Sequence, residues 1–146
     1  MKALGILDTK STVFPRLANV PAWNDLPADE KRMSARKMEL FAAMVENMDA
    51  NIGKLIGYLK TNKLYDNTLI IFLSDNGPEG NIMPMGAPWD NSNFENWGKK
   101  GTFIQYGPAW AQVGVGPLRM FKGFVSEGGI RTPLIISGKG VTGSGR

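Results

Sequence analysis

From Met38 onward, apolar residues recur at three- and four-residue spacing. Phe41, Met44, Val45, Met48, Ile52, Leu55, Ile56 and Leu59 form one stripe of a long helix. Pro27 followed by Ala28, Asp29 and Glu30 marks its start, because proline and acidic side chains suit a first helical turn. The pattern stops near Asn62, ahead of Tyr65, Asp66 and Asn67. Gly53 and Gly57 interrupt the stripe at a cost of about 1 kcal/mol each against alanine, which suggests a neighbouring element packed closely there. The period then changes. Thr68 to Leu73 is a short, nearly continuous apolar run and predicts a strand buried on both faces, as in a parallel sheet. A second apolar run, Pro133 to Ile136, predicts another strand. Before the helix, Pro15 and Pro21 disfavour regular structure, so Met1 to Asp25 reads as extended or irregular. A long helix feeding a buried strand, with a second strand later, defines an α/β chain.

Composition sharpens the division between the halves. Most of the 18 Gly and six of the nine Pro lie at or after Gly77, so residues 77–132 read as one long loop region. Loops of that length in compact domains tend to carry function. The polar and aromatic stretch from Trp89 to Trp97 has the character of a substrate-facing loop. At 146 residues with 42% apolar content the chain fits one domain with a modest core.

Charge and residue usage exclude several function classes. The 17 Lys and Arg against 13 Asp and Glu give a net charge of +4. No basic run exceeds two residues, as in Lys99-Lys100, so no nucleic-acid-binding stripe forms. No apolar stretch is long enough to span a membrane. The apolar piece from Ala3 to Leu7 is too short for a signal peptide, so the expected compartment is the cytoplasm. The chain has no His and no Cys. That excludes an imidazole base, a thiolate nucleophile, a disulfide and a sulfur-based zinc site. Chemistry is left to carboxylates, Lys, Arg, Tyr, hydroxyls or a hard cation.

Three places remain where such chemistry could sit. Asp75 and Asn76 directly follow the first strand, at its carboxyl end, where open α/β sheets place ligands. Their oxygens suit Ca²⁺ or Mg²⁺, although two ligands cannot fill a calcium shell of about 6–8 oxygens. Asn76-Gly77 is also a strong turn dipeptide, and on spacing alone the turn is the commoner outcome. Lys122, between Phe121 and Gly123, could present its ammonium to an anion, or lie on the surface with its stem on apolar neighbours. Glu127-Gly128-Gly129-Ile130-Arg131 could form an anion-binding turn or simply lead into the second strand. Met33, Met38, Met44 and Met48 read as helix packing, and Trp89, Trp97 and Trp110 as loop anchors.

Taken together, three segments resemble the sulfatase family, and within it the bacterial arylsulfatase or alkylsulfatase type. They are Phe41 to Asp49 with its helical continuation, Asp66 to Gly77 (DNTLIIFLSDNG), and Phe121 to Ile136 (FKGFVSEGGIRTPLII). Gly107 to Gln112 resembles the connecting loop of that type, and the likeness runs from Trp23 to Gly138. The resemblance implies a hydrolase of sulfate esters with a partial alkaline-phosphatase-like mixed sheet, flanked by the long helix and extensive loops. It implies that Asp75 and Asn76 are ligands of an active-site Ca²⁺ and that Lys122 is a catalytic residue touching a sulfate oxygen. A divalent cation and an ammonium would stabilise the negative charge that builds on oxygen as a sulfate ester is cleaved.

The same resemblance exposes what is missing. The family nucleophile is a formylglycine made from Cys or Ser in a Cys/Ser-x-Pro-x-Arg motif, and no residue here begins that pattern. The family's paired Asp ligands near its N-terminus and its active-site His residues are also absent. The expectation is therefore the later part of a sulfatase catalytic domain, inactive alone. Residues 1–27 would be a lead-in, 28–76 the helix and core strand with metal ligands, 77–132 the loop region, and 133–146 a strand and tail. Two other classes stay open. One is a non-catalytic module that binds anions or a partner and self-associates through exposed sheet edges. The other is a phosphoesterase of the same superfamily.

Overall fold

The computed structural model describes residues 2–84 and 86–142. The tail from Gly143 to Arg146, expected to follow the second strand, lies outside the described residues. The architecture is mixed α/β. Helix α1 spans Ala28–Thr61, strand β1 Leu69–Leu73, helix α2 Gly107–Val115, the one-turn helix α3 Glu127–Ile130, and strand β2 Leu134–Gly138. Short 3₁₀ turns sit at Lys2–Leu4, Trp23–Asp25, Tyr65–Asn67 and Phe94–Asn96.

Helix α1 starts and stops where the sequence places it. Asp29 and Glu30 occupy its first turn and Lys60 its last, each complementing the helix dipole. At the carboxyl end Lys63 takes the left-handed conformation with φ 57°. The Leu64 amide then donates to the Leu59 carbonyl at 2.8 Å, the six-to-one bond of a Schellman termination. Glycine usually fills the left-handed position, and here a lysine does.

Two expectations are corrected. The strands pair antiparallel, with Leu69 opposite Gly138 and Leu73 opposite Leu134. They are also uncovered: Ile71 is 54% exposed and Ile135 59%. A continuous apolar run does not say which way the neighbouring strand runs, nor whether the chain itself covers the faces, and within this chain β1 is antiparallel and largely exposed. Similarly, α1 has no buried residue. Its stripe is real, but only Ile52, Ile56 and Leu59 among its later members are half-covered. A Cβ added at Gly53 or Gly57 would meet open space, so no element packs closely against them.

The loop region is more regular than its composition suggests, and it holds most of the core. Among the described residues the buried apolar side chains are Val20, Ala111, Val115 and Phe121. Two of these belong to α2, which Gly107 and Pro108 open by placing proline in the first turn. The Trp110 indole donates to the Ser34 carbonyl at 3.0 Å and ties α2 to α1.

Amide side chains replace strand pairing around these loops. Asn91 donates to the Phe103 carbonyl at 2.8 Å and accepts from the Phe103 amide at 2.9 Å. Gln105 does the same to Met83, at 2.8 and 2.9 Å. Gln112 donates to the Pro15 carbonyl at 2.7 Å and accepts from the Leu17 amide at 3.2 Å. Each amide supplies one donor and one acceptor to a peptide that no neighbouring strand serves. As expected, the tryptophans act as anchors. The Trp97 indole donates to Asn91 O at 3.0 Å, and Trp89 packs on Phe103 with ring centroids 5.6 Å apart.

Candidate active site

The candidate residues lie on two segments that leave the same end of the sheet. One runs from Ser74 to Asn81 after β1, the other from Arg119 to Thr132 before β2. Backbone contacts fix them to each other. The Thr132 hydroxyl donates to Ser74 O at 2.9 Å, Gly77 N donates to Gly129 O at 2.9 Å, and Lys122 N donates to Pro78 O at 3.0 Å. The approach is close enough to demand glycine. A Cβ at Gly77 would collide with the Gly128 carbonyl, and one at Gly80 with the Phe121 ring. The Gly128-Gly129 pair, an expected turn, thus forms part of a backbone crossing.

Asp75 is exposed at the carboxyl end of β1, while Asn76 is half-buried. The Asn76 amide nitrogen donates to Gly77 O at 3.0 Å, which turns Oδ1 away from that bond and leaves it as an acceptor. The Ser74 hydroxyl donates to Asn76 O at 2.9 Å and steadies the turn. A carboxylate and an amide oxygen match a hard cation in kind. In number they fall short, and among the described residues no three His, Cys, Asp or Glu side chains gather as a metal site.

Lys122 is engaged rather than free. Its ammonium lies 3.2 Å from Glu79 Oε2. The other carboxylate oxygen of Glu79 accepts from the Asn81 backbone amide at 2.8 Å and from Asn81 Nδ2 at 2.9 Å. Asn81 Nδ2 also donates to Lys122 O at 3.3 Å, which closes a ring of three residues. The Asn81 backbone amide holds the Glu79 carboxyl below its usual value, burial opposes it, and the Lys122 ammonium and the Asn81 side chain add to the lowering. Arg131 is paired with Glu127 at 3.5 Å and stands exposed, so it does not join Lys122.

Beside Asn76 and Glu79 opens an apolar cleft of about 860 Å³. Met38, Phe41 and Met44 of α1 form one wall, and Tyr106, Trp110 and Val115 the other. Phe41 and Tyr106 meet edge to face with centroids 5.0 Å apart. Burial pushes the Tyr106 phenol up, and the Glu79 charge adds to that, against a hydrogen bond with the Glu79 backbone. Sequence reasoning reached Asp75, Asn76 and Lys122 but not Glu79, Asn81 or Tyr106. The only local signal for Glu79 was its place two residues after the Asn76-Gly77 turn.

The pair of antiparallel strands carries an Asp-Asn turn and a Lys-Gly loop at one end, and the class of the chain follows from its family, whose domain has the alkaline-phosphatase-like fold. The chain belongs to the sulfatase family, whose model matches residues 8–145. It is 50% identical over 124 residues to an uncharacterized sulfatase of Schizosaccharomyces pombe, covering 79% of this chain and 22% of that protein. It is 39% identical over 154 aligned positions to an arylsulfatase of Klebsiella aerogenes, covering all of this chain and 33% of that protein. A sulfatase of Formosa agariphila is 32% identical over 109 residues, covering 69% of this chain and 14% of that protein. The chain therefore spans a third or less of the length of these relatives. No helix among the described residues is long and apolar enough to cross a membrane.

Proposed function

We propose that this chain is the part of a sulfuric ester hydrolase that supplies electrostatic groups to the reaction. Lys122 contacts an oxygen of the sulfuryl group. Asp75 and Asn76 contribute two of the oxygens that hold Ca²⁺, which when bound would draw charge from the same group. The observation that carries this reading is the backbone lacing of the Ser74–Asn81 and Arg119–Thr132 segments, which brings Asp75, Asn76 and Lys122 to one end of the sheet. Asn76 orients through its bond to Gly77, and Lys122 through the Glu79–Asn81 ring. The formylglycine-forming motif of the family is not in this sequence, so the chain by itself lacks a nucleophile and turns over no ester.

The test is a chimera in which this chain replaces its aligned segment in the Klebsiella arylsulfatase. Hydrolysis of nitrophenyl sulfate by the chimera, lost on Lys122→Ala, is the expected result. A folded chimera whose activity is indifferent to Lys122→Ala and Asp75→Ala would sink the reading.

A second reading has its own support. The exposed apolar strands suit a non-catalytic module that binds a partner or its own copy through uncovered sheet surface. Light scattering that gives a monomer at high concentration would remove its self-associating form.

A further inference from the structure

The geometry points to Glu79 as the positioning residue of Lys122, the group that sets where the ammonium meets an anion. This inference rests on the anion-contacting role proposed above for Lys122. An isolated surface ion pair would carry no such weight, since long side chains in water seldom hold one geometry. This pair is not isolated. The Lys122 backbone is fixed to Pro78 on the amide side and to Asn81 on the carbonyl side, at 3.0 and 3.3 Å. Glu79 is fixed in turn, because two donors of Asn81 hold its Oε1. Underneath, Gly80 lies against the buried ring of Phe121 with no room for a side chain, so the Glu79 and Lys122 backbones cannot slide past each other. With Oε1 occupied, Glu79 has Oε2 left to offer, and Lys122 Nζ stands 3.2 Å from it. An ammonium has three donors. One directed to Glu79 restrains the other two, and those two face the incoming anion. Glu79 touches no substrate in this scheme and acts only through Lys122.

The experiment uses the whole 146-residue chain, with inorganic sulfate as the probe and NMR as the readout. Sulfate is titrated at constant ionic strength into wild type, Glu79→Gln, Glu79→Asp, Asn81→Ala and Lys122→Met. Side-chain order is measured at the ε-methylene of Lys122, with Lys63 and Lys100 as exposed references. In wild type the Lys122 methylene is expected to be more ordered than the references. In Glu79→Gln it falls to their level, and the sulfate dissociation constant rises about threefold, the scale of one ion pair. Glu79→Asp restores part of both effects, and Asn81→Ala, which spares the ion pair but frees the carboxylate, gives a smaller loss of order. Unchanged Lys122 order in Glu79→Gln, or tighter sulfate binding by that variant, overturns the inference, the second by showing that Glu79 competes with the anion. Lys122→Met separates the two claims. If it leaves the sulfate-induced shifts intact, the proposed role of Lys122 fails, while the order measurement still decides whether Glu79 positions it.

Discussion

The ring of Phe121 lies directly over Gly80 and leaves no volume there for a methyl group. Phe121 is 4% exposed and cannot swing into solvent without emptying part of a very small core. Gly80→Ala is therefore expected to destabilise the chain by about 1–3 kcal/mol, the usual cost of overpacking. Gly53→Ala, in open space on α1, should instead stabilise by up to about 1 kcal/mol through helix propensity. Urea midpoints of the two variants should move in opposite directions, and a matching shift in both would show that the Phe121 contact is absent.

Ile71 was expected from its sequence context to be core, and truncation of a core isoleucine costs about 2–5 kcal/mol. At 54% exposure its loss should be well under that, about 1 kcal/mol or less. Phe121→Ala carries the large penalty instead, about 3–5 kcal/mol. If chemical denaturation ranks the two the other way, β1 has cover that the chain's own fold does not provide.

Lys63 holds a left-handed position at the end of α1. Side chains with a Cβ incur about 1–2 kcal/mol there, and glycine does not. Lys63→Gly is expected to raise the melting temperature, although glycine's freedom in the unfolded chain trims the gain. A lower melting temperature would show that the Lys63 side chain makes contacts worth more than the backbone relief.

The Glu79 carboxyl titrates below its ordinary 4.5 in the folded chain, chiefly because Asn81 donates to its charged form. A depressed folded value means the folded state favours the charged form. Its contribution to stability is complete above the unfolded value and disappears as pH falls from about 4.5 through the folded value. Glu79→Gln should flatten stability against pH in that acid window and leave its slope near neutrality unchanged. Urea unfolding at a series of pH values reads this directly, and an unaltered acid limb would contradict it.

Calcium binding should be weak. With one carboxylate and one amide oxygen, the chain offers far fewer than the roughly 6–8 ligands calcium takes. Calorimetry should show no submicromolar binding, and whatever heat appears should fall in Asp75→Ala. Submicromolar affinity would mean that other oxygens complete the shell.

Legibility followed the range of the forces involved. Helix α1 was readable to within a residue at each end because its stripe, acidic first turn and stop are all local. Asp75, Asn76 and Lys122 became candidates through their place in family-like segments, after a strand and before a Gly. Strand direction was not, since a run such as Ile70-Ile71-Phe72 looks the same whichever way its neighbour runs. Helix α2 was hidden by the Gly and Pro around it, although Pro108 at its first turn was a usable sign. The Glu79–Asn81–Lys122 ring was out of reach, because it joins residues more than forty positions apart through a crossing that only the folded backbone defines.

The antiparallel register has a consequence for how such a protein can change. Leu73 and Leu134 face each other, so everything from Ser74 to Pro133 leaves the sheet and re-enters it at one doorway. At the far end, Lys139 closes the ladder by donating to Thr68 O and to Asn67 Oδ1. The excursion between is clamped by its own amides and glycine crossings rather than by the strands. Lengthening or trimming it away from Ala111, Val115 and Phe121 should therefore leave the strand pairs in register, whereas a change at those three reaches the core.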